Sequence, residues 1–325
     1  MKHLLRSVAA FLSLATIDTA AWAQSDKYPT RPVSFVVPYT AGGSMDVIGR
    51  SFARCLETRL GQPFVVENRP GAGTTLAAGT VARGTPDGYT LMIATSTTLA
   101  FAPALYDKLA YDPIADFTPL GLTTALPVVL VVDPGLGVNS VAELRALLVN
   151  KPGAINYGSA GNGSPHHLAM ELFKGRTGLD ATHVPYRGVT QALTDLIGGR
   201  IGLMFTDAAP ALGFIREGRL KALAVSSGTR LEALPDVPTI QEAGVADFDV
   251  TAWHAVVAPA KLPAPVAKAL TAGLDGCLRA PETARAFGEL GIQVLNRSPD
   301  DQVAYTRSEI ARWGEVIRQA GVRAN

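Results

Sequence analysis

Short apolar, β-branched runs alternate along this chain with longer stretches whose apolar residues recur at helical spacing. Val33-Ser34-Phe35-Val36-Val37 is the first such run, and Pro38 and a glycine turn follow it. From Met45 to Leu60 the residues Val47, Ile48, Phe52, Cys55, Leu56 and Leu60 repeat at the period of a helix, and Gly61 marks its end. Phe64-Val65-Val66 predicts a second strand, residues 68–73 a turn into a small-residue helix ending at Arg83, and Thr90 to Ala94 a third strand. That β-α-β-α-β order predicts a mainly parallel sheet covered by helices.

The alternation restarts after Pro127. Val128 to Val132 reads as a buried strand, and Ser140-Val141-Ala142-Glu143 as a capping box opening a helix to Val149. Strands are expected at 155–157, 183–186, 201–205 and 220–225, with helices at 165–174 and 192–197 between them. These form a second α/β unit. The C-terminal third predicts a strand over 252–258 and helices over 265–278, 281–290 and 299–319. No long polar linker separates the two units, so the chain is expected to cross between domains on strands or short hinges, leaving a cleft.

Composition narrows the function classes. A 325-residue chain, 47% hydrophobic, has ample apolar material for two packed domains. Its formal charge of +1 offers no electrostatic case for nucleic acid or an anionic membrane. Two cysteines exclude a disulfide-built scaffold and four-thiolate zinc sites; Cys55 and Cys277 are either a disulfide or two buried thiols. Lys2, His3 and Arg6, the apolar run Val8–Ile17 and Ala21-Trp22-Ala23 read as a secretory signal over 1–23, cut after Ala23. Its removal takes away Lys2, Arg6 and Asp18 and brings the formal balance to zero.

Two glycine loops carry the candidate chemistry. Tyr39-Thr40-Ala41-Gly42-Gly43-Ser44 lies between the first strand and first helix, with Asp46 just inside that helix. Ser159-Ala160-Gly161-Asn162-Gly163-Ser164 holds the same position in the second unit, followed by Pro165, His166 and His167. At the carboxyl end of a strand, glycines admit a ligand to the backbone, and a helix start offers unpaired N–H groups and partial positive charge. A carboxylate binds there without a lysine. Each loop also reads as a plain tight turn, with Ser44 or Ser164 as helix cap. Thr95 and Ser96, and Asp207 and Ala208, sit at two further strand ends. Asp207 either faces a ligand or caps the following helix.

Catalytic motifs are missing. The glycine loops lack the dinucleotide fingerprint and the P-loop lysine, and neither a Gly-x-Ser-x-Gly elbow nor a His-Glu-x-x-His pair occurs. His166 and His167 are adjacent, so on a helix they point in different directions. No cofactor or metal is expected.

Residues 28–33 (Tyr-Pro-Thr-Arg-Pro-Val), 36–46 (Val-Val-Pro-Tyr-Thr-Ala-Gly-Gly-Ser-Met-Asp) and 66–73 (Val-Glu-Asn-Arg-Pro-Gly-Ala-Gly) open a longer pattern. Pro-Asp-Gly-Tyr-Thr-Leu at 86–91, the glycine loop at 156–168, His-Val-Pro-Tyr-Arg-Gly at 183–188, the segment 234–244 and Trp253 continue it. Together these resemble the Bug, or TctC-like, periplasmic solute-binding proteins of tripartite tricarboxylate transporters, over nearly the whole mature chain. Thr74 departs from that pattern where a glycine is usual, as does Ala77; Tyr39 stands where phenylalanine is more common.

The resemblance implies an α/β, two-domain flytrap architecture, each domain a mainly parallel or mixed sheet flanked by helices with the ligand cleft between. Residues 24–124 plus 250–325 would form the first domain and 125–249 the second. It also implies a non-catalytic periplasmic protein, monomeric, that hands a small di- or tricarboxylate, acidic amino acid or aromatic acid to a two-subunit membrane permease. By position, 40–46 and 159–164 would cradle one carboxylate. Thr95, Ser96, Tyr186, Asp207 and Ala208 would read the rest of the ligand, with His167 nearby; no cationic residue for a second carboxylate is evident. Two other classes stay open: a periplasmic sensor reporting to a membrane partner, and an enzyme using His166, His167 and Asp207.

Overall fold

The computed structural model describes residues 28–324. The expected export segment and its cleavage point lie outside the described residues. Ten strands and the helices between them build two lobes on one continuous, curled sheet. In the first lobe β1 (Val33–Val37) leads into α1 (Ser44–Leu60), β2 (Phe64–Asn68), α2 (Thr75–Ala82), β3 (Thr90–Thr95) and the short α3 (Ala102–Leu105). β4 (Phe117–Val132) then carries the chain into the second lobe. There α4 (Val141–Asn150), β5 (Asn156–Ser159), α5 (Pro165–Thr177), β6 (Thr182–Pro185), α6 (Val189–Ile197), β7 (Leu203–Asp207), α7 (Ala208–Arg216) and β8 (Lys221–Val225) follow. β9 (Thr251–Pro259) brings it back, and α8 (Ala264–Leu278), α9 (Pro281–Gly288), β10 (Gln293–Arg297) and α10 (Pro299–Ala320) complete the first lobe.

The strand order of the first lobe is β2-β1-β3-β9-β4-β10, and that of the second is β6-β5-β7-β4-β8. β1, β2 and β3 are parallel, as the β-α-β-α-β pattern predicts, but β9 runs antiparallel between β3 and β4, so the sheet is mixed. The parallel core needs the helical crossovers the sequence shows; β4 and β9 are instead the two crossing strands. β4 pairs with β9 up to Pro127 and with β7 from Val128 onward. The strand expected at 128–132 is therefore the last part of a 16-residue strand. Its first part is disguised by Pro119 and by bulges between Pro119 and Gly121 and between Leu122 and Thr124, which break the period-2 pattern. β10 was not expected from the sequence either.

Helices cover both faces of each sheet and divide the core into three clusters. Phe35, Ile48, Phe52, Leu56, Leu270 and Phe287 pack α1, α8 and α9 on the first sheet. Val129, Leu193, Leu196, Met204 and Leu212 pack α6 and α7 on the second. The largest cluster draws on both lobes, from Phe101, Trp253 and Trp313 to Tyr157, Phe173, Phe205 and Phe248. Within it, buried Glu309 accepts hydrogen bonds from the indoles of Trp253 and Trp313, each 3.0 Å, which fixes α10 against β9. A disulfide joins Cys55 of α1 to Cys277 of α8, resolving the open cysteine pair. Since α1 begins at the first glycine loop, this staple anchors a wall of the cleft.

Candidate functional site

A cavity of about 500 Å³ lies between the lobes. Much of it is built from the carboxyl ends of strands, where open α/β sheets present loops and helix starts to ligands. From the first lobe come the β1–α1 loop, the end of β3, Ala252 and His254 of β9, and Leu290 and Ile292 before β10. From the second come the starts of α5, α6 and α7. Tyr39, Thr40, Ala41, Gly42, Gly43, Ser44, Thr95, Ser96, Ala160, Ser164 and Asp207 line it, so all of residues 39–44 but only Ala160 and Ser164 of the second loop, with Thr95, Ser96 and Asp207 from the strand ends, meet there.

The first loop is held open by a brace just beyond it. Gly43 is the N-cap residue of α1, and no side chain caps the helix there. Asp46 accepts from the Gly42 amide at 3.0 Å, from Arg50 at 2.9 Å and from Asn68 at 3.0 Å, while Asn68 also donates to the Tyr39 carbonyl. Burial works against its charge, yet these donors hold the Asp46 carboxyl below its ordinary range. Gly42 adopts φ +86°, and a Cβ at Gly42 or Gly43 would meet only open space. The uncapped amides of α1 therefore face the cavity with room for an anion beside them.

Ser44 and Asp207 both do something other than cap a helix. The Ser44 hydroxyl donates across the cleft to Asp207 Oδ2 at 2.9 Å. Asp207 holds the N-cap position of α7 but makes no capping bond. Its other oxygen, Oδ1, faces His166 Nε2 at 3.0 Å. Burial would raise the Asp207 carboxyl, but the His166 imidazole, the Ser44 hydroxyl and nearby His254 hold it below the usual range. His254, bonded through Nδ1 to Thr124 at 3.0 Å, is pushed down to about 4 by burial and is neutral. Burial also pushes the Tyr39 phenol up.

Asp46, Ser159, Gly161, Asn162, Gly163, His167, Tyr186 and Ala208 do not line the cavity. Five of them support the walls. Ser159 bonds His183 Nε2 at 2.7 Å and accepts from the Gly161 amide. Gly163 donates to His167 Nδ1 at 3.1 Å, and the His167 and His183 rings stack at 3.9 Å. Burial lowers His167 to about 3 and His183 to about 4, so both are neutral. Ser164 caps α5 through the His167 amide while still lining the cavity. The Tyr186 hydroxyl turns away to Asp195 at 2.8 Å. Asn162 is exposed, and Ala208 is buried at the start of α7.

Several lining residues were missed. Arg187, Gly188, Val189, Thr190 and Gln191 come from the start of α6. The strand-then-glycine signal was present in His183–Gly188, but the loop is too short to stand out. Arg187 places a cation in the cavity wall, where none was evident from the sequence. His166, His254, Leu126, Leu290 and Ile292 also line the cavity. Among the described residues no cluster of three His, Cys, Asp or Glu side chains is placed to hold a metal, and no helix is long and apolar enough to cross a membrane.

Comparison with known proteins agrees with this geometry. A family profile described as the tripartite tricarboxylate transporter family receptor matches residues 48–322. Protein BugT of Bordetella pertussis is 35% identical over 324 residues, covering 99% of both chains. The structure of R. palustris Rpa4515 with adipate superimposes with a TM-score of 0.87 at 36% identity, covering 91% of this chain and 99% of that one. MatC from Rhodopseudomonas palustris, with bound malate, gives 0.83 at 34% identity, covering 89% and 100%. The periplasmic binding protein BugD gives 0.84 at 34%, covering 91% and 99%. The two-lobed architecture is thus that of periplasmic solute-binding proteins.

Proposed function

Since the chain belongs to the tripartite tricarboxylate transporter receptor family, we propose that it is an exported, non-catalytic solute receptor. It captures a small carboxylate between its lobes and delivers it to a two-subunit membrane permease. Of the described residues, 28–124 with 250–324 form one lobe and 125–249 the other, and the mature protein works as a monomer in the periplasm. The observation that carries this reading is the pairing of the uncapped start of α1, beside the open space at Gly42 and Gly43, with the start of α5 across one cavity. An anion shared by both favours the closed arrangement of the lobes. Adipate and malate, held by two of the structural relatives, set the size class of ligand.

The residues that invite an enzyme reading are wired against it. Asp207 sits between Ser44 and His166, so the imidazole bonds the carboxylate and not the hydroxyl. A nucleophile activated by a base needs the imidazole in the middle. The test is a thermal-shift titration of the mature protein with adipate and malate, because a ligand that binds the folded state alone raises its melting temperature. The shift should be present in the wild type and absent in Gly43→Leu, whose side chain fills the space beside the amides. Gly161→Leu should also lose it. Wild-type affinity in both variants overturns the two-loop cradle.

A further inference from the structure

We propose that Arg187 selects ligands carrying a second anionic group, an inference that rests on the carboxylate-binding reading above. Among the described residues it is the one lysine or arginine lining the cavity. It enters none of the ion pairs or hydrogen bonds that occupy Arg50, Arg200, Arg230 and Arg312. The backbone that presents it is fixed. The Tyr186 amide donates to the Ser159 carbonyl at 3.0 Å, and the Tyr186 hydroxyl is tied to Asp195. Asp195 is also engaged by Arg200 at 2.6 Å, so this carboxylate of α6 is not available to neutralise Arg187.

The other acid in the cavity makes its contacts elsewhere. Arg187 follows β6, whereas Asp207 ends β7, and β5 lies between them. Two strand spacings put the two positions on the order of 10 Å apart. Asp207 is already satisfied by Ser44 and His166. The rim therefore runs from a compensated carboxylate at one end to an uncompensated guanidinium at the other. Exposed Thr190 and Gln191 add neutral polar groups beside Arg187, while Leu126, Leu290 and Ile292 offer carbon to the body of the ligand. A chain or ring with a carboxylate at each end matches this order of surfaces. A monocarboxylate leaves the guanidinium without a partner.

The experiment is calorimetric titration of wild-type and R187Q protein with two matched pairs, adipate with hexanoate and succinate with butyrate. Members of a pair differ only in the terminal carboxylate. In the wild type at least one dicarboxylate should outbind its partner by about tenfold, the scale of a partly exposed charge-assisted contact. R187Q should erase that preference with monocarboxylate affinity and melting temperature unchanged, and R187K should keep part of it. The preference should also shrink with added salt, as the Debye length falls from about 30 Å to about 3 Å. A wild type that favours neither dicarboxylate, an R187Q that keeps the preference, or one that loses all four acids equally overturns the role of Arg187. If monocarboxylates bind with no preference, this inference falls alone. If no carboxylate binds or stabilises the wild type, the carboxylate reading falls with it.

Discussion

The two glycine loops use the same grammar for different purposes. Each leaves a strand, turns through glycines and enters a helix, and in each a glycine amide donates to a side chain four residues on. Gly42 donates to Asp46 at 3.0 Å, and Gly163 to His167 at 3.1 Å. The surroundings are opposite. A Cβ on Gly42 or Gly43 would meet nothing, whereas one on Gly163 would lie 2.3 Å from Leu105 of α3 in the other lobe. In the first loop glycine leaves space open beside the cavity; at Gly163 it makes room for the protein. A glycine-rich loop at a strand end is thus not by itself evidence of a cradle, and the space beyond the missing side chain decides.

The sharpest way to break this contrast is to put the same side chain into both loops. Gly163→Val must displace Leu105 and hold a β-branched residue at φ +70°, so it should cost about 3 kcal/mol or more. Gly43→Val meets open space at an ordinary φ of −88° and should change stability by less than about 0.5 kcal/mol while weakening carboxylate binding. Urea unfolding of both variants, with titration of adipate, checks the pair. Equal stability losses would show that the two loops are packed alike.

The braces differ next in their response to acid. His167 must be neutral to accept the Gly163 amide, and His183 and His254 are neutral as well, with values of about 3, 4 and 4. In the unfolded chain each takes a proton near pH 6.5. Below that pH the unfolded state binds more protons than the folded one, so stability falls as pH drops, by on the order of 1 kcal/mol per pH unit for each histidine. Asp46 is held below its ordinary range, so its contribution is complete at pH 5 and is lost only at lower pH. Urea midpoints at about pH 7, 6 and 5 should therefore decline in the wild type, less steeply in His167→Gln, and with the wild-type slope in Asp46→Asn. Parallel curves for wild type and His167→Gln would remove His167 from this account.

What could be read from the sequence follows the range of the forces involved. The elements flanking residues 39–46 and 159–164 are set by apolar periodicity and turn residues, which are local, and the strand-end position of both loops followed from them. The Ser44–Asp207 bond spans 163 positions, and no local pattern announces it. Asp207 as a cap or as a cleft residue was undecidable for that reason. The β4 bulges hid a strand by breaking its period. Arg187 sat in a motif already noticed, yet its exposure to the cavity depends on β6 pairing with β5. Leu290 and Ile292 reach the site because the chain returns after β9, a matter of topology.

The smallest expected effect separates the two loop serines. Ser164 accepts from the His167 amide and caps α5, so Ser164→Ala should cost about 1 kcal/mol of stability. Ser44 caps nothing; its hydroxyl is spent on Asp207 in the facing lobe. In Ser44→Ala, Asp207 keeps His166 but loses the donor that holds the lobes together at that point. The residual exposure of the Asp207 side chain, 16%, lets water compensate in part. Stability should then move by less than about 1 kcal/mol, and the loss should appear in the ligand's dissociation rate, raised by about fivefold. Stopped-flow dissociation and thermal melts on both variants distinguish the roles. A Ser44→Ala protein that melts early but releases ligand at the wild-type rate would make Ser44 a helix residue like its counterpart, and the hydrogen bond across the cleft would no longer account for closure.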